Sequence, residues 1–511
     1  MSFSNAAIEI RLGNVESRII GPYPNAALDA VLNGSLGGHI PLVYDGVRGV
    51  FLTGALPAVK RTFREEGCRF RIRDLRSSPR PDLSWTLRHV ELRDYQREVV
   101  SEAVRRGRGL IDVGTGGGKT LLAAAVAARL GLPTLWLVTT RVLLDQTRRC
   151  LADLFGFEPG VVGCGIRRPE RLTVALIQSL DKDGADLDPW RHGTLVFDEG
   201  HHAAAGSYQD LIRRLEPRYQ YFLSAVPFRT GSDQAVLDAL AGMPLTGGKY
   251  SAGFLIENGY ACPIDVRIEF CRMAGNMAEK PFSAIYREGI VENEERNGRI
   301  IALGAEKMAE GFSTLVLIDR IEHGSILQAG LGSSCGFAHG GVSGLKLRSL
   351  TEDFACGRLK GLVATSGLFQ EGVSISGIHV LVAAGGMKSR ARVIQTIGRG
   401  MRKAPGKKAC LYVDFWDDDG AGVLRRHSRQ RLHVLKEMGF NVVPPANSNL
   451  SGDGSDIPPM WTHAPGSRRF LKIDGRGRVI EEKDCYRPSL VPEKICRTCE
   501  LVHQCKKQQG G

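Results

Sequence analysis

The stretch from Gly109 to Arg129 places the tightest limit on what this chain can fold into. A short apolar strand, Gly109–Val113, runs into Gly114-Thr115-Gly116-Gly117-Gly118-Lys119-Thr120, and the apolar helix Leu121–Arg129 follows at once. A glycine-rich turn that opens a helix gathers backbone N–H groups at one spot, and the helix N-terminus adds favourable partial charge for an anion there. A strand that is apolar throughout is buried on both faces, which means a parallel sheet covered by helices. The pattern repeats. Thr134–Val138, Thr173–Ile177, Leu195–Phe197 and Tyr221–Leu223 read as further buried strands between helices, and Thr314–Ile318, Gly361–Ala364, Val380–Ala383 and Cys410–Val413 form a second such set. The expected fold is α/β: two tandem parallel-sheet domains with a ligand cleft.

At 511 residues and 43% hydrophobic content the chain is too long for one ordinary core. The expected division is an N-terminal α+β accessory module over residues 1–88, a first sheet domain over 89–250, a second over 251–440, a flexible linker rich in Pro, Ser, Gly and Asn over 441–467, and a basic tail over 468–511. In the N-terminal module, Leu42-Val43-Tyr44 and Gly49-Val50-Phe51-Leu52 read as strands about an Asp45-Gly46 turn, and Leu56–Glu66 as an amphipathic helix. Phe70 and Ile72 alternate with Arg69, Arg71 and Arg73 on a short strand. With Lys60, Arg61 and Arg64 they make a basic stripe suited to phosphate contact, although a solvated face would look the same. The net charge of +13 leans towards a polyanionic partner. No apolar run is long enough to span a bilayer and the N-terminus has no signal core, so a cytoplasmic monomer is expected.

Three segments carry chemistry. In the first, Lys119 is placed to reach the β- and γ-phosphates of a nucleotide and Thr120 to ligate Mg²⁺, with Gly114, Thr115, Gly116, Gly117 and Gly118 cradling the phosphates. The strict pattern has Gly or Ala where Val113 stands. The second is Leu195-Val196-Phe197-Asp198-Glu199-Gly200-His201-His202, an apolar strand ending in two acids. Asp198 would hold Mg²⁺ through its water shell, and Glu199 would orient or deprotonate the attacking water. The third is Gln395-Thr396-Ile397-Gly398-Arg399-Gly400-Met401-Arg402. Arginines three apart on a helix share a face, and there Arg399 and Arg402 can stabilise charge on a transferring phosphoryl group, with Gln395 placing the water.

Taken in order, these segments resemble the motifs of helicase superfamily 2, with its two RecA-like domains. Leu92-Arg93-Asp94-Tyr95-Gln96 is similar to the adenine-reading Q motif, in which Gln96 can both donate to and accept from an adenine edge, and Arg93 would join it at the nucleotide. Val138-Thr139-Thr140-Arg141 and Ile177-Gln178-Ser179-Leu180 resemble strand-contacting motifs. Leu223 to Arg229 resembles motif III, with Val226 where Thr is usual. Ala364-Thr365-Ser366 through Glu371-Gly372-Val373-Ser374 resembles motif V, with Ser374 where many relatives have Asp and Gly372 expected beside the nucleotide. Within the superfamily the chain is most similar to UvsW-like phage recombination helicases, through the N-terminal module, Asn293–Leu303, Gly367–Ser374 and Gly386-Met387-Lys388-Ser389. The resemblance implies an ATP- and Mg²⁺-dependent DNA helicase or translocase that unwinds or branch-migrates DNA, gripping backbone phosphates through Thr139, Thr140, Arg141, Gln178 and Thr365. A double-strand translocase of restriction or XPB type, an RNA substrate, and an ATP-gated binding switch stay open.

Twelve cysteines are present. Eight are scattered singly and read as reduced core thiols. The other four, Cys485, Cys496, Cys499 and Cys505, crowd the tail, where they suit tetrahedral Zn²⁺ or an iron–sulfur cluster, with His503 as a substitute ligand, or else a tail of free thiols.

Overall fold

The computed structural model describes residues 8–33, 43–180, 187–198, 206–223, 232–273, 280–370, 375, 377–386, 388–419, 422–440 and 442, together with the backbone of three tail strands. The chain divides into two compact units. The first comprises Met1–Asp112, Lys119–Gly248 and the tail; the second comprises Val113–Gly118 and Lys249–Asp453.

The first unit opens with a five-stranded sheet. Its strands are β1 (Ile8–Leu12), β2 (Glu16–Ile20), β3 (Tyr44–Asp45), β4 (Val50–Leu52) and β5 (Phe70–Asp74), in the order β3-β4-β2-β1-β5. β5 runs parallel to β1, and the remaining pairs are antiparallel. The expected tight turn at Asp45-Gly46 is a longer loop, because the Asp45 carboxylate accepts the Val47 and Arg48 N–H groups at 3.0 and 3.1 Å and holds the chain open for four residues. The helix Leu56–Glu65 lies where periodicity put it, burying Val59 and Phe63. Of the basic stripe, Arg71 pairs with Glu9 at 2.6 Å and Arg61 with Glu65 at 3.7 Å; Arg64, Arg69 and Arg73 are exposed.

The module does not have a core to itself. Ile10, Phe51 and Val59 belong to one continuous apolar cluster with Leu135, Phe197 and Leu237 of the adjoining parallel-sheet domain. Polar contacts reinforce the join. Asn14 Nδ2 donates to Ser77 Oγ and to the Glu216 carbonyl at 2.8 and 2.9 Å, and Arg213 pairs with Glu16 at 2.6 Å.

That domain carries a seven-stranded sheet: β6 (Arg108–Ile111), β7 (Thr134–Val138), β8 (Gly160–Gly163), β9 (Ile166–Arg168), β10 (Leu172–Leu176), β11 (Thr194–Phe197) and β12 (Tyr219–Leu223). The order is β6-β12-β11-β7-β10-β8-β9, parallel except for the β8–β9 hairpin. β7 and β11 are buried along their whole length, as largely apolar parallel strands require, and β6 is buried too, Arg108 at its start included.

The second unit holds a six-stranded, all-parallel sheet: β13 (Ile264–Arg272), β14 (Thr314–Ile318), β15 (Cys335–Ala338), β16 (Gly361–Thr365), β17 (Val380–Ala383) and β18 (Cys410–Asp418), ordered β13-β18-β17-β14-β16-β15. β18 continues past the expected end at Val413 because its later acids are neutralised in place. Arg431 Nε donates to Asp414 at 2.9 Å, and Arg296 Nε donates to Asp417 at 2.8 Å, all four side chains being buried. A helix, Asn293-capped over Glu294–Ala309, brings Arg296 there.

In the tail, β19 (Met460–His463), β20 (Arg469–Ile473) and β21 (Val479–Asp484) form a small antiparallel sheet, so strand structure begins inside the segment expected to be linker. The scattered cysteines are free. Cys68, Cys262, Cys271, Cys335 and Cys410 are buried, whereas Cys164 and Cys356 are exposed rather than core thiols. Among the described residues no helix is long and apolar enough to cross a membrane.

Candidate nucleotide-binding site

The glycine-rich loop follows the C-terminal end of β6, and the helix Lys119–Leu130 starts from it. Gly116 and Gly118 have φ of +86° and +80°, the left-handed region that an L side chain rarely adopts, and the Gly117 N–H closes on the Gly114 carbonyl at 3.0 Å. Val113, the departure from the strict pattern, is a buried packing residue whose Cγ1 fills the space beside Gly117. Lys119 and Thr120 occupy the first turn of the helix and are half-buried.

One residue that sequence reading passed over anchors this loop. Asp112 is buried, and its carboxylate accepts the Thr246 N–H at 2.8 Å and the Gly248 N–H at 2.7 Å. It is the last residue before the loop, so the ion-assisted pair ties the loop's root to the chain at 246–248. The available signal was a lone carboxylate between Ile111 and Val113 at the end of an apolar strand.

Asp198 follows the C-terminal end of β11, one strand removed from β6. Its backbone N–H donates to the Leu137 carbonyl at 2.9 Å, and its side chain is half-buried. Lys119, Thr120 and Asp198 thus all follow carboxyl ends of the same parallel sheet, where open α/β folds bind ligands. Glu199 lies outside the described residues, as do Gly200 to Ala205, Ser224 to Arg229 of motif III including Val226, and Glu371 to Ser374 with Gly372.

Thr139, Thr140 and Arg141 follow β7, and Gln178 follows β10, again at carboxyl ends. Gln178 Nε2 donates to the Thr139 carbonyl at 3.2 Å. Thr140 caps the helix Arg141–Phe155, its Oγ1 accepting the Leu143 N–H at 3.3 Å. Arg141 and Gln178 are exposed; Thr365, at the end of β16 in the second unit, is half-buried beside Ser366, whose hydroxyl donates to the Ile318 carbonyl. Gln96 is buried in the first turn of the helix Asp94–Arg106, and its Oε1 accepts the Arg93 N–H at 3.0 Å. In this structure that oxygen caps a helix.

Within the second unit, the loop Val113–Gly118 meets the helix Arg390–Gly400. A Cβ on Gly398 would lie 2.0 Å from Thr115 Cγ2, so the helix can approach the loop this closely only with glycine at 398. Gln395 and Arg399 are half-buried on this helix. Arg402 is not on it. The helix stops at Gly400, where Lys407 Nζ donates to the Gly400 and Arg402 carbonyls and ends the backbone ladder, leaving Arg402 in the following loop. Burial pulls the Arg402 guanidinium below its ordinary pKa. Among the described residues Thr115 Oγ1 is buried with no hydrogen-bond partner. An orphaned hydroxyl on a glycine loop that opens a helix, with Lys119 and Thr120 in the next turn, is a donor set that fits a polyphosphate.

The tail cysteines Cys485, Cys496, Cys499 and Cys505 lie outside the described residues. Among the described residues no group of three or more His, Cys, Asp or Glu side chains is arranged to hold a metal ion.

Residues 89–229 match the family described as Type III restriction enzyme, res subunit. The chain is 27% identical over 407 residues to a "Putative DNA 3'-5' helicase Rad25" of Haloarcula marismortui, covering 77% of this chain and 64% of that protein. It is 25% identical over 398 residues to the "ATP-dependent DNA helicase uvsW" of Enterobacteria phage T4, covering 70% and 77%. The crystal structure of T4 UvsW superposes with a TM-score of 0.38 at 17% identity, covering 86% of this chain and 98% of that one. The chain spans just under two thirds of the length of the Haloarcula relative. The match to the res-subunit family spans residues 89–229, and over most of its length the chain is similar to proteins named as DNA helicases, the phage T4 uvsW helicase among them.

Proposed function

We propose that this chain is an ATP-driven DNA motor that unwinds or remodels branched DNA. The observation that carries the reading is the shared edge: a glycine loop with Lys119 and Thr120 in its first helical turn, and Asp198, all following carboxyl ends of one parallel sheet. In this reading Gly114–Thr120 wrap the phosphates of ATP, Arg93 and Gln96 stand at the base, and Thr120 and Asp198 hold Mg²⁺. The bound Mg²⁺ supplies neutralising charge to the phosphates. Glu199 takes the proton of the attacking water, Gln395 helps to place that water, and Arg399 and Arg402 offer positive charge to the phosphoryl group, with Gly372 beside the nucleotide. Thr139, Thr140, Arg141, Gln178 and Thr365 grip strand phosphates without regard to sequence. The exposed Arg64, Arg69 and Arg73 extend that grip onto the N-terminal module. The tail cysteines are candidate Zn²⁺ or iron–sulfur ligands, which elemental analysis of the purified chain reads directly.

A second reading, a duplex translocase that does not separate strands, draws on the restriction-subunit family matched by residues 89–229. Strand displacement on forked against blunt duplex separates the two. The deciding experiment measures ATP turnover with single-stranded, duplex, forked and four-way DNA, and with RNA, for the wild type and Lys119→Ala. The variant should lose turnover and keep DNA binding; normal hydrolysis by it, or turnover indifferent to every nucleic acid, overturns the proposal.

A further inference from the structure

A cavity of about 650 Å³ lies in the first unit between the N-terminal module and the parallel-sheet domain. It is a volume that accommodates a small ligand. Its lining includes four arginines, Arg76, Arg105, Arg106 and Arg108, beside an apolar surface that includes Leu56 and Leu245. Arg105, Arg106 and Arg108 bracket Gly107, the turn into the N-terminal end of β6. The phosphate loop follows the other end of that strand, so the arginine cluster is separate from it.

The charges around the cavity do not balance. Arg105 and Arg106 share one carboxylate, Glu102, at 2.7 and 2.5 Å, and Arg76 pairs with Asp74 at 2.5 Å. Among the described residues, four lining arginines therefore face two carboxylates, an excess of two positive charges. Arg108 is the source of much of the excess. It is 9% exposed, its guanidinium donates to the Asn14 carbonyl, and among the described residues no carboxylate pairs with it. Its charged neighbours are Arg76 and Arg218, themselves cations, and burial beside them pushes its pKa down to about 9. A buried guanidinium among like charges is a costly arrangement for stability alone. It gains its return when an anion enters, because the planar fork matches phosphate oxygens two at a time.

We propose that this cavity binds the phosphate of a nucleoside monophosphate, either free or at the 5′ end of a DNA strand, with the base against the apolar wall. The site is independent of the motor reading, and a chain without ATPase activity would still bind at it.

The test uses the full chain with Mg²⁺–ADP at saturation, so that the phosphate loop is filled. Titration calorimetry with AMP examines the free source, and anisotropy with 5′-phosphorylated against 5′-hydroxyl oligonucleotides examines the strand source. Binding of AMP, or tighter binding of the 5′-phosphorylated strand, supports the site and identifies its source. Arg108→Met should weaken that binding about tenfold or more, the loss of one charge-assisted contact. Its melting temperature should hold or rise, since an uncompensated buried charge has been removed. If Arg108→Met melts lower instead, the rim variant Arg105→Gln/Arg106→Gln decides: weakened binding supports the site, and wild-type binding overturns it. Absence of both AMP binding and a 5′-phosphate preference, or a stable Arg108→Met that binds as the wild type does, also overturns it.

Discussion

Asp112→Ala tests whether the phosphate loop depends on an anchor outside itself. The carboxylate accepts two backbone N–H groups at 2.8 and 2.7 Å from a buried position, and each such charge-assisted bond contributes about 1.5–3 kcal/mol. Removing both would cost about 3–6 kcal/mol if nothing replaced them. Gly248 is exposed, however, so water can satisfy its N–H after the substitution, and the net loss falls to about 2–4 kcal/mol. Asp112→Asn keeps one carbonyl oxygen as acceptor but turns an NH₂ towards the second N–H, so it should lose roughly half as much. The functional consequence follows from position. The loop begins at the next residue, and a root that is no longer tied must be ordered at the expense of binding, which should weaken ATP about tenfold or more. Urea unfolding followed by tryptophan fluorescence reads the first quantity, and displacement of a fluorescent nucleotide reads the second. If Asp112→Ala lies within about 0.5 kcal/mol of the wild type and binds ATP equally well, the anchor has no such role.

Three further outcomes can be measured directly. Glu199→Gln should bind ATP and hydrolyse it very slowly, in single-turnover assays with DNA; near-normal turnover removes Glu199 from the water-activating role. Arg296→Ala leaves Asp417 buried without its 2.8 Å partner and should destabilise the second unit by about 3–5 kcal/mol in chemical denaturation, and a loss under about 1 kcal/mol would show that Arg431, 3.5 Å from Asp417, carries the charge alone. His323 is buried, its Nε2–H donates to Asn297 Oδ1 at 2.9 Å, and burial, together with the Arg296 guanidinium, lowers its pKa to about 3 and keeps the ring neutral. A depressed histidine means that the unfolded chain takes up the proton first, so its contribution is present above about pH 6.5 and is lost as pH falls towards 3, about 2 kcal/mol by pH 5; His323→Gln should flatten that acid limb of the stability curve, and an unchanged limb counts against His323 as its source.

Much of the fold was legible because its signals are local. β7, β14 and β17 lie where continuous apolar runs put them, since a buried parallel strand writes its burial into consecutive residues. The strands that escaped reading obey a different rule. β13 alternates Ile264-Asp265-Val266-Arg267-Ile268-Glu269 because it is an edge strand, half covered, and β18 hides its last residues behind Asp414, Asp417 and Asp418. Those acids look like a strand end until Arg296, from a helix distant in sequence, and Arg431, from the helix Val423–Glu437 that follows β18, are seen to neutralise them. The core shared by the N-terminal module and the first sheet domain was invisible for a related reason. A periodic pattern shows which face of a helix is buried but not what buries it, and Val59 and Phe63 fit a private core as well as a shared one.

The candidate site divides along the same line. The loop is readable because its glycines, Lys119 and Thr120 act within a few residues of one another, where dihedral angles and helix polarity leave few alternatives. Asp112 was not readable, because its partners Thr246 and Gly248 come from a distant segment and a single acid carries no pattern. Gln96 shows a subtler limit. The property that fits it to an adenine edge, an amide that donates and accepts, also fits it to cap a helix, and its Oε1 does so at the Arg93 N–H. If a base is to be read there, its contacts must fall to the Gln96 amide's remaining capacity or require the cap to open, so Gln96→Glu, which keeps an acceptor for the Arg93 N–H but abolishes the NH₂ donor, should leave the helix intact and weaken ATP binding. Unchanged ATP affinity would assign Gln96 to the helix alone.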